Sequence, residues 1–130
     1  MENRPLEVSI QDGVILMVIQ GELTGERLPL LEEDIKKANA FIREESEKAS
    51  RPLPILIDLT ELSGTYDPSA MLLLANLEKV DRPYVTKTLC FGANPTIKFA
   101  GEIISALSSR ENITFLKTKE EALAALKEGA

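Results

Sequence analysis

The chain has 130 residues, enough for one domain with a buried core. Its 15 basic and 21 acidic residues give a net charge of −6. There is no dense Lys/Arg stripe, and the only aromatics are two tyrosines and four phenylalanines, so phosphate-backbone binding, base stacking and adhesion to anionic lipid are all disfavoured. Histidine is absent. That removes the usual general base, the usual triad partner and the commonest transition-metal ligand, and leaves an enzyme only carboxylates, lysines or one thiol to work with. No cofactor and no metal site is expected, and the chain reads as a non-enzyme. The polar Met1-Glu2-Asn3-Arg4-Pro5 start has no charged-then-apolar leader pattern, and the longest apolar runs are too short to span a bilayer, so the expected location is cytoplasmic.

In chain order, Leu6, Val8 and Ile10 alternate with polar residues, Asp12-Gly13 follows, and Val14–Ile19 is nearly all apolar. This predicts a β-hairpin with a two-residue turn, its second strand more central than its first. Gly21 and Gly25 bracket a loop, and Pro29 suits the first turn of a helix. Leu28, Leu31, Ile35, Ala38 and Ile42 recur at three- and four-residue spacing, with Glu32, Glu33, Lys36 and Lys37 on the opposite face. The spacing predicts an amphipathic helix of about four turns or more, fraying near Ser50-Arg51-Pro52. Ile55–Leu59 is short and apolar, as a strand covered on both faces would be. Asp67 and Asn94 are good N-caps, each followed by a proline at the first helical position. They open helices over Asp67–Val80 and Asn94–Ser109, the second preceded by a strand at Thr86–Phe91 and carrying Ile97, Ala100, Ile104 and Leu107 on one face. Ile113–Leu116 is a last strand, and Thr118 with Glu121 forms a capping box for a final helix bearing Ala122, Leu123 and Leu126. The fold class is α/β in the order ββαβαβαβα: a mixed, mostly parallel five-stranded sheet with an N-terminal β-hairpin and about four helices, in a single domain over residues 1–130.

Few residues carry a chemical suggestion. Ser69 stands in the first turn of the helix opened by Asp67, where free N–H groups and the positive dipole end favour an anion, so a phosphate added there would be held while a docked partner met a changed surface. The plain reading is that Asp67 caps the helix and Ser69 is an exposed polar residue. The apolar run from Ala70 to Ala75 fits a helix wedged against the sheet, with a partner-facing or ligand-lining surface as the alternative. A binding surface would draw on Asp58, Tyr66, Asp67 and Met71, with Asn94 and Thr96 at the neighbouring helix start; the Gly92-to-Thr96 segment lacks the glycine pattern of a nucleotide-phosphate loop. Asp58 and Glu61 are too few carboxylates for catalysis, Tyr66 and Tyr84 read as surface anchors, and Cys90, inside a strand, reads as a buried inert thiol. The Leu6–Ile10 edge strand leaves a homodimer by strand pairing open.

Three segments, Val14–Leu23, Ile55–Leu74 and Lys87–Leu126, together resemble the STAS domain, the fold shared by bacterial anti-sigma factor antagonists and the cytoplasmic tails of sulphate transporters. In the antagonists a strand ends in an Asp-Leu pair and an Asp-Ser-Ser-Gly motif starts the next helix; here the pair is Asp58-Leu59 and the motif reads Asp67-Pro68-Ser69-Ala70. The resemblance implies that Ser69 lies where the family's phosphorylated serine lies. It also implies a partner-switching role, in which the unmodified form binds an anti-sigma kinase or other regulatory protein and phosphorylation releases it. Pro68 and Ala70 depart from the motif, and the loop before it is longer by one residue. Asp58-x-Thr60-Glu61-Leu62-x-Gly64 also resembles antagonist-like domains related to the lipid-binding CRAL-TRIO group. That likeness implies a carrier for a small apolar ligand, held between the Asp67–Val80 and Asn94–Ser109 helices.

Overall fold

A computed structural model describes residues 4–98, 100, 101 and 113–127. Strands β1 (Leu6–Gln11) and β2 (Val14–Ile19) pair antiparallel from Leu6↔Ile19 to Gln11↔Val14. Asp12 (φ 52°) and Gly13 (φ 78°) close the hairpin, both left-handed as the tight turn between right-twisted strands requires. After a short strand β3 (Gly21–Leu23) and a 3₁₀ turn comes α1 (Leu28–Ala49), a helix of 22 residues whose Leu31, Ile35, Ala38 and Ile42 are all buried. It stops where Ser50 turns left-handed (φ 57°); the Arg51 N–H then donates back to the Ser46 carbonyl at 3.2 Å, satisfying an end carbonyl.

Next come β4 (Leu53–Asp58), β5 (Leu62–Tyr66), α2 (Pro68–Asp81) and, after a second 3₁₀ turn, β6 (Val85–Phe91). Helix α3 is described at residues 95–98, 100 and 101. The expected continuation of α3 through Ile104 and Leu107 to Ser109 lies outside the described residues. Strand β7 (Ile113–Leu116) and helix α4 (Lys119–Lys127) follow, the Glu121 N–H donating to Thr118 Oγ1 at 3.2 Å as a capping box predicts.

The main sheet has five strands in the order β1-β2-β4-β6-β7, parallel throughout except for β1. The expected mixed, mostly parallel α/β architecture is therefore what forms. One element is additional: β3 and β5 pair parallel as a separate two-stranded sheet, in segments that read as loops in the sequence.

Both faces of the main sheet are covered. On one, Ile15, Met17, Ile55 and Ile57 pack with the buried stripe of α1 and with Ala70, Leu77 and Ile97. On the other, Leu56, Leu89 and Phe91 pack with Ala122, flanked by Ala125 and Leu126 of α4. Alternation along β4 assigns its residues to the two faces. In β6 the register shifts between Val85 and Thr88, so Val85 and Cys90, of opposite parity, reach the same core. The buried Asp34 of α1 is joined by Arg4, which donates to Oδ1 through Nη2 at 2.7 Å and Nε at 3.0 Å, fastening the segment before β1 to the helix.

Full burial of the Ala70 to Ala75 run does not hold. Leu72 is 63% exposed and Val80 46%, because α2 packs by one side only and its outward face carries Ser69, Leu72, Asn76 and Val80 at helical spacing. No described helix is long and apolar enough to cross a membrane.

Candidate functional site

The start of α2 is fixed by its own cap and by the small sheet. Gly21 donates its N–H to the Glu61 carbonyl at 2.9 Å, and the Asp67 N–H donates to the Leu23 carbonyl at 2.8 Å. These bonds tie β3 to both ends of β5 and set where the helix begins. Asp67 is extended (φ −87°, ψ 140°), and its Oδ1 accepts the Ser69 N–H at 3.0 Å and the Ser69 Oγ–H at 2.6 Å. One carboxylate oxygen thus satisfies a helix-end donor and orients the exposed serine hydroxyl.

Ser69, through its side chain first and its backbone second, holds the Asp67 carboxyl below its ordinary value. With the folded value depressed, the ionised cap contributes fully above the ordinary aspartate range, and its contribution is lost as pH falls through the folded value. Ser69→Ala is expected to bring the Asp67 titration, followed by carboxyl-carbon NMR, back up toward the ordinary value. An unchanged midpoint would mean the hydroxyl bond does not form in solution.

Behind this turn lies an apolar cavity of about 80 Å³. Met17, Ile57 and Cys90 of the main sheet form its floor, and Leu62 and Tyr66 of β5 its roof. Ala70, Met71 and Leu74 of α2 face Ile97 and Ala100 of α3 across it. Glu78 is the one charged residue on this lining among the described residues.

Burial pushes the Cys90 thiol far above its ordinary value, and the nearby Glu78 charge adds to the effect. Ellman's reagent is therefore expected to find no reactive thiol in the folded protein and one per chain in denaturant. Fast labelling under native conditions would show that the cavity opens widely to solvent.

Not all the residues singled out from the sequence meet here. Tyr66 and Met71 line the cavity, Asp67 caps α2 and Ser69 stands outside on the same turn. Asp58 has a local partner, its Oδ1 accepting the Thr60 N–H at 2.9 Å and the Thr60 hydroxyl at 2.6 Å. Asn94 caps α3 by accepting the Ile97 N–H at 3.1 Å, and Thr96 is exposed beside it. Leu23 and Leu62 were missed as lining residues, although each stands as an apolar residue in a short segment next to glycine-containing turns.

No protein-family model and no curated protein matches the chain. Solved structures do match over nearly its whole length. The phosphorylated form of the Bacillus cell-fate determinant SpoIIAA superposes with a TM-score of 0.57 at 16% identity, over 94% of this chain and 99% of that one. An uncharacterized protein of the DUF3478 family from Shewanella loihica, described as having a SpoIIAA-like fold, gives 0.63 at 18% identity, with 97% of each chain covered. The anti-sigma factor antagonist SpoIIAA in its unphosphorylated form gives 0.59 at 14% identity, over 95% of this chain and 98% of that one. At such identities the likeness is one of architecture: the chain has the SpoIIAA-like fold of STAS domains.

Proposed function

We propose that this is a non-catalytic regulatory domain that binds a protein partner through the start of α2 and is switched by phosphorylation of Ser69. The observation that carries this reading is the exposed Ser69 hydroxyl, second residue of α2, bonded to the ionised Asp67 cap. A phosphoryl group on Oγ would add about two negative charges within reach of the N–H groups that Asp67 now satisfies. The dianion and the carboxylate would repel, and the phosphate would compete for the helix-end donors. The cap would be exchanged and the surface beside Leu72 would become more strongly negative, which is enough to release a partner docked there.

The partner class is an anti-sigma factor kinase or a comparable regulatory protein, by analogy with the antagonist fold. Asp58, Asn94 and Thr96, at strand and helix ends, belong to the wider candidate surface. A second reading, a carrier for a small apolar ligand, is favoured by the cavity between α2 and α3.

The test begins with affinity capture on the immobilised wild type, followed by titration of the captured protein against wild type, Ser69→Ala and Ser69→Asp. Ser69→Ala is expected to bind like wild type, and Ser69→Asp at least about tenfold more weakly, the scale of a charge buried against an unmatched surface. Equal affinity of Ser69→Asp and wild type would sink the switch.

A further inference from the structure

We infer that the outer edge of β1 pairs with β1 of a second copy of this chain, antiparallel about a two-fold axis at Ser9, so that two main sheets become one. β1 is the outermost strand of its sheet. The Pro5 carbonyl accepts the Gln20 N–H at 3.0 Å, continuing the register that sets Leu6 opposite Ile19, so the odd-numbered residues are the ones bonded to β2. The backbone groups of Leu6, Val8 and Ile10 therefore point outward. Leu6 shows this directly, since its N–H goes to Asp34 Oδ2 of α1 at 3.4 Å. No comparable bond reaches the outward groups of Val8 or Ile10 among the described residues. The strand Leu6–Gln11 also has no lysine, proline or bulge, the devices that ordinarily blunt an edge.

Symmetry and Asp34 together select the register. A two-fold axis that keeps the buried faces of both sheets on the same side must pass at a residue, not between two. An axis at Val8 would set Leu6 against Ile10 of the second copy and would need the Leu6 N–H that Asp34 holds. An axis at Ser9 needs only Val8 and Ile10, each exchanging both backbone bonds with the other residue of the second copy. Their half-buried side chains, which already pack on the α1 side of the sheet, then cover one another as aliphatic cross-strand pairs. On the opposite face Glu7 meets Gln11 and Ser9 meets Ser9, so no like charges stand opposite.

The same register brings Asp12 of the second copy opposite Leu6. An open groove of about 390 Å³ lies there, lined by Arg4, Leu6, Glu7, Val8, Asp34 and Lys37. Its charges are balanced: Arg4 pairs with Asp34 at 2.7 Å, and Lys37 with Glu33 at 3.3 Å on the surface. The Lys37 ammonium has three donors, which leaves it able to meet the incoming Asp12 carboxylate as well.

One strand per copy is a small interface, so reversible pairing with a Kd of roughly 10–100 µM is expected. Ser69, on α2, takes no part in it, and the test is independent of the switch. Sedimentation equilibrium of the full chain from about 5 µM to 1 mM should show a monomer–dimer equilibrium; a monomer throughout would overturn the pairing. Val8→Pro removes an outward N–H and no bond to β2, and should abolish the dimer while the chain stays folded by circular dichroism. If that variant does not fold, Ser9→Lys replaces it: two lysines on the axis should weaken pairing at least about tenfold. A folded variant that dimerises like wild type would overturn the use of this edge. Ser9→Cys reads the register. Opposite residues that exchange no backbone bonds have Cα atoms about 4.5 Å apart, within disulfide reach, so oxidised glutathione should link the two copies. Cys90 is buried and stays out of the exchange. Glu7→Cys lies about 14 Å from its own counterpart in this register and should remain unlinked. Linking of Glu7→Cys as readily as Ser9→Cys would overturn the axis at Ser9.

Discussion

Gly92→Ala is expected to destabilise the fold by about 3 kcal/mol, the sum of two costs. Gly92 has φ 81°, a conformation costing an L-residue roughly 1–2 kcal/mol. A Cβ there would also overlap Thr60 Cγ2 and lie 3.1 Å from the Thr60 N and Cα, an overlap worth roughly 1–3 kcal/mol in a packed region. The neighbourhood has little freedom to yield, because Leu59 donates its N–H to the Phe91 carbonyl at 2.9 Å and Asp58 holds Thr60 through two bonds. For a domain of this size the loss corresponds to a melting-temperature drop of roughly 10 °C by calorimetry. Thr60→Ser removes the Cγ2 methyl, and in a double-mutant cycle it should recover the steric part, about 1 kcal/mol, while the backbone strain stays. A melting temperature within about 2 °C of wild type would show that the β4–β5 turn and the β6–α3 turn do not approach as described.

Phe91→Ala is expected to cost about 4 kcal/mol, at the upper end for a buried aromatic, because the face it serves has so little else. Phe91 is 5% exposed and shares its cluster only with Leu56, Leu89 and Ala122 among the buried residues described. Helix α4, of nine residues, is too short to persist without packing. Its other described anchor is Lys87, whose ammonium donates to the Ala125 carbonyl at 3.0 Å at the negative end of the helix. With the ring gone, urea unfolding should shift by roughly a quarter to four-fifths of a typical domain's stability margin, and α4 amides should exchange well before those of β2 and β4. Leu123→Ala, on the open side of α4 and 41% exposed, should change stability by no more than about 0.5 kcal/mol. Equal effects of the two substitutions would mean α4 is not docked by this face.

The elements with local chemical signals were legible in the sequence. Asp12-Gly13 announced the hairpin, Asp67-Pro68 and Asn94-Pro95 the two helix starts, and Thr118 with Glu121 the last helix, because each motif satisfies backbone donors or backbone φ within a few residues. The β3–β5 sheet was not legible. Its strands pair in parallel across a separation that includes all of α1, so no turn marks them. In addition, Gly64 interrupts the apolar alternation between Leu62 and Tyr66. The two-sided character of α2 was hidden as well, since Leu72 belongs to an unbroken apolar run and only the packing shows that it faces outward. The site divides along the same line. Ser69 and its Asp67 cap were readable, and a cavity between α2 and α3 was among the expectations. Its volume, its Leu23 and Leu62 lining and its Glu78 wall depend on how side chains from distant segments fill space, which spacing along a chain does not encode.

Among the described helices, α4 is the one packed on the second face of the sheet, and this has a consequence for synthesis. A ribosome releases β1, β2, α1, β4, α2 and β6 before residues 119–127, so the first face can be covered while the chain is still growing. Leu56, Leu89 and Phe91 then stand uncovered until the last helix arrives. During that interval the nascent domain presents a bare β-surface to its neighbours on the same message. Slowing translation over β7 and α4 should lengthen the exposure and raise the fraction lost to aggregation, whereas slowing it over α1 should not.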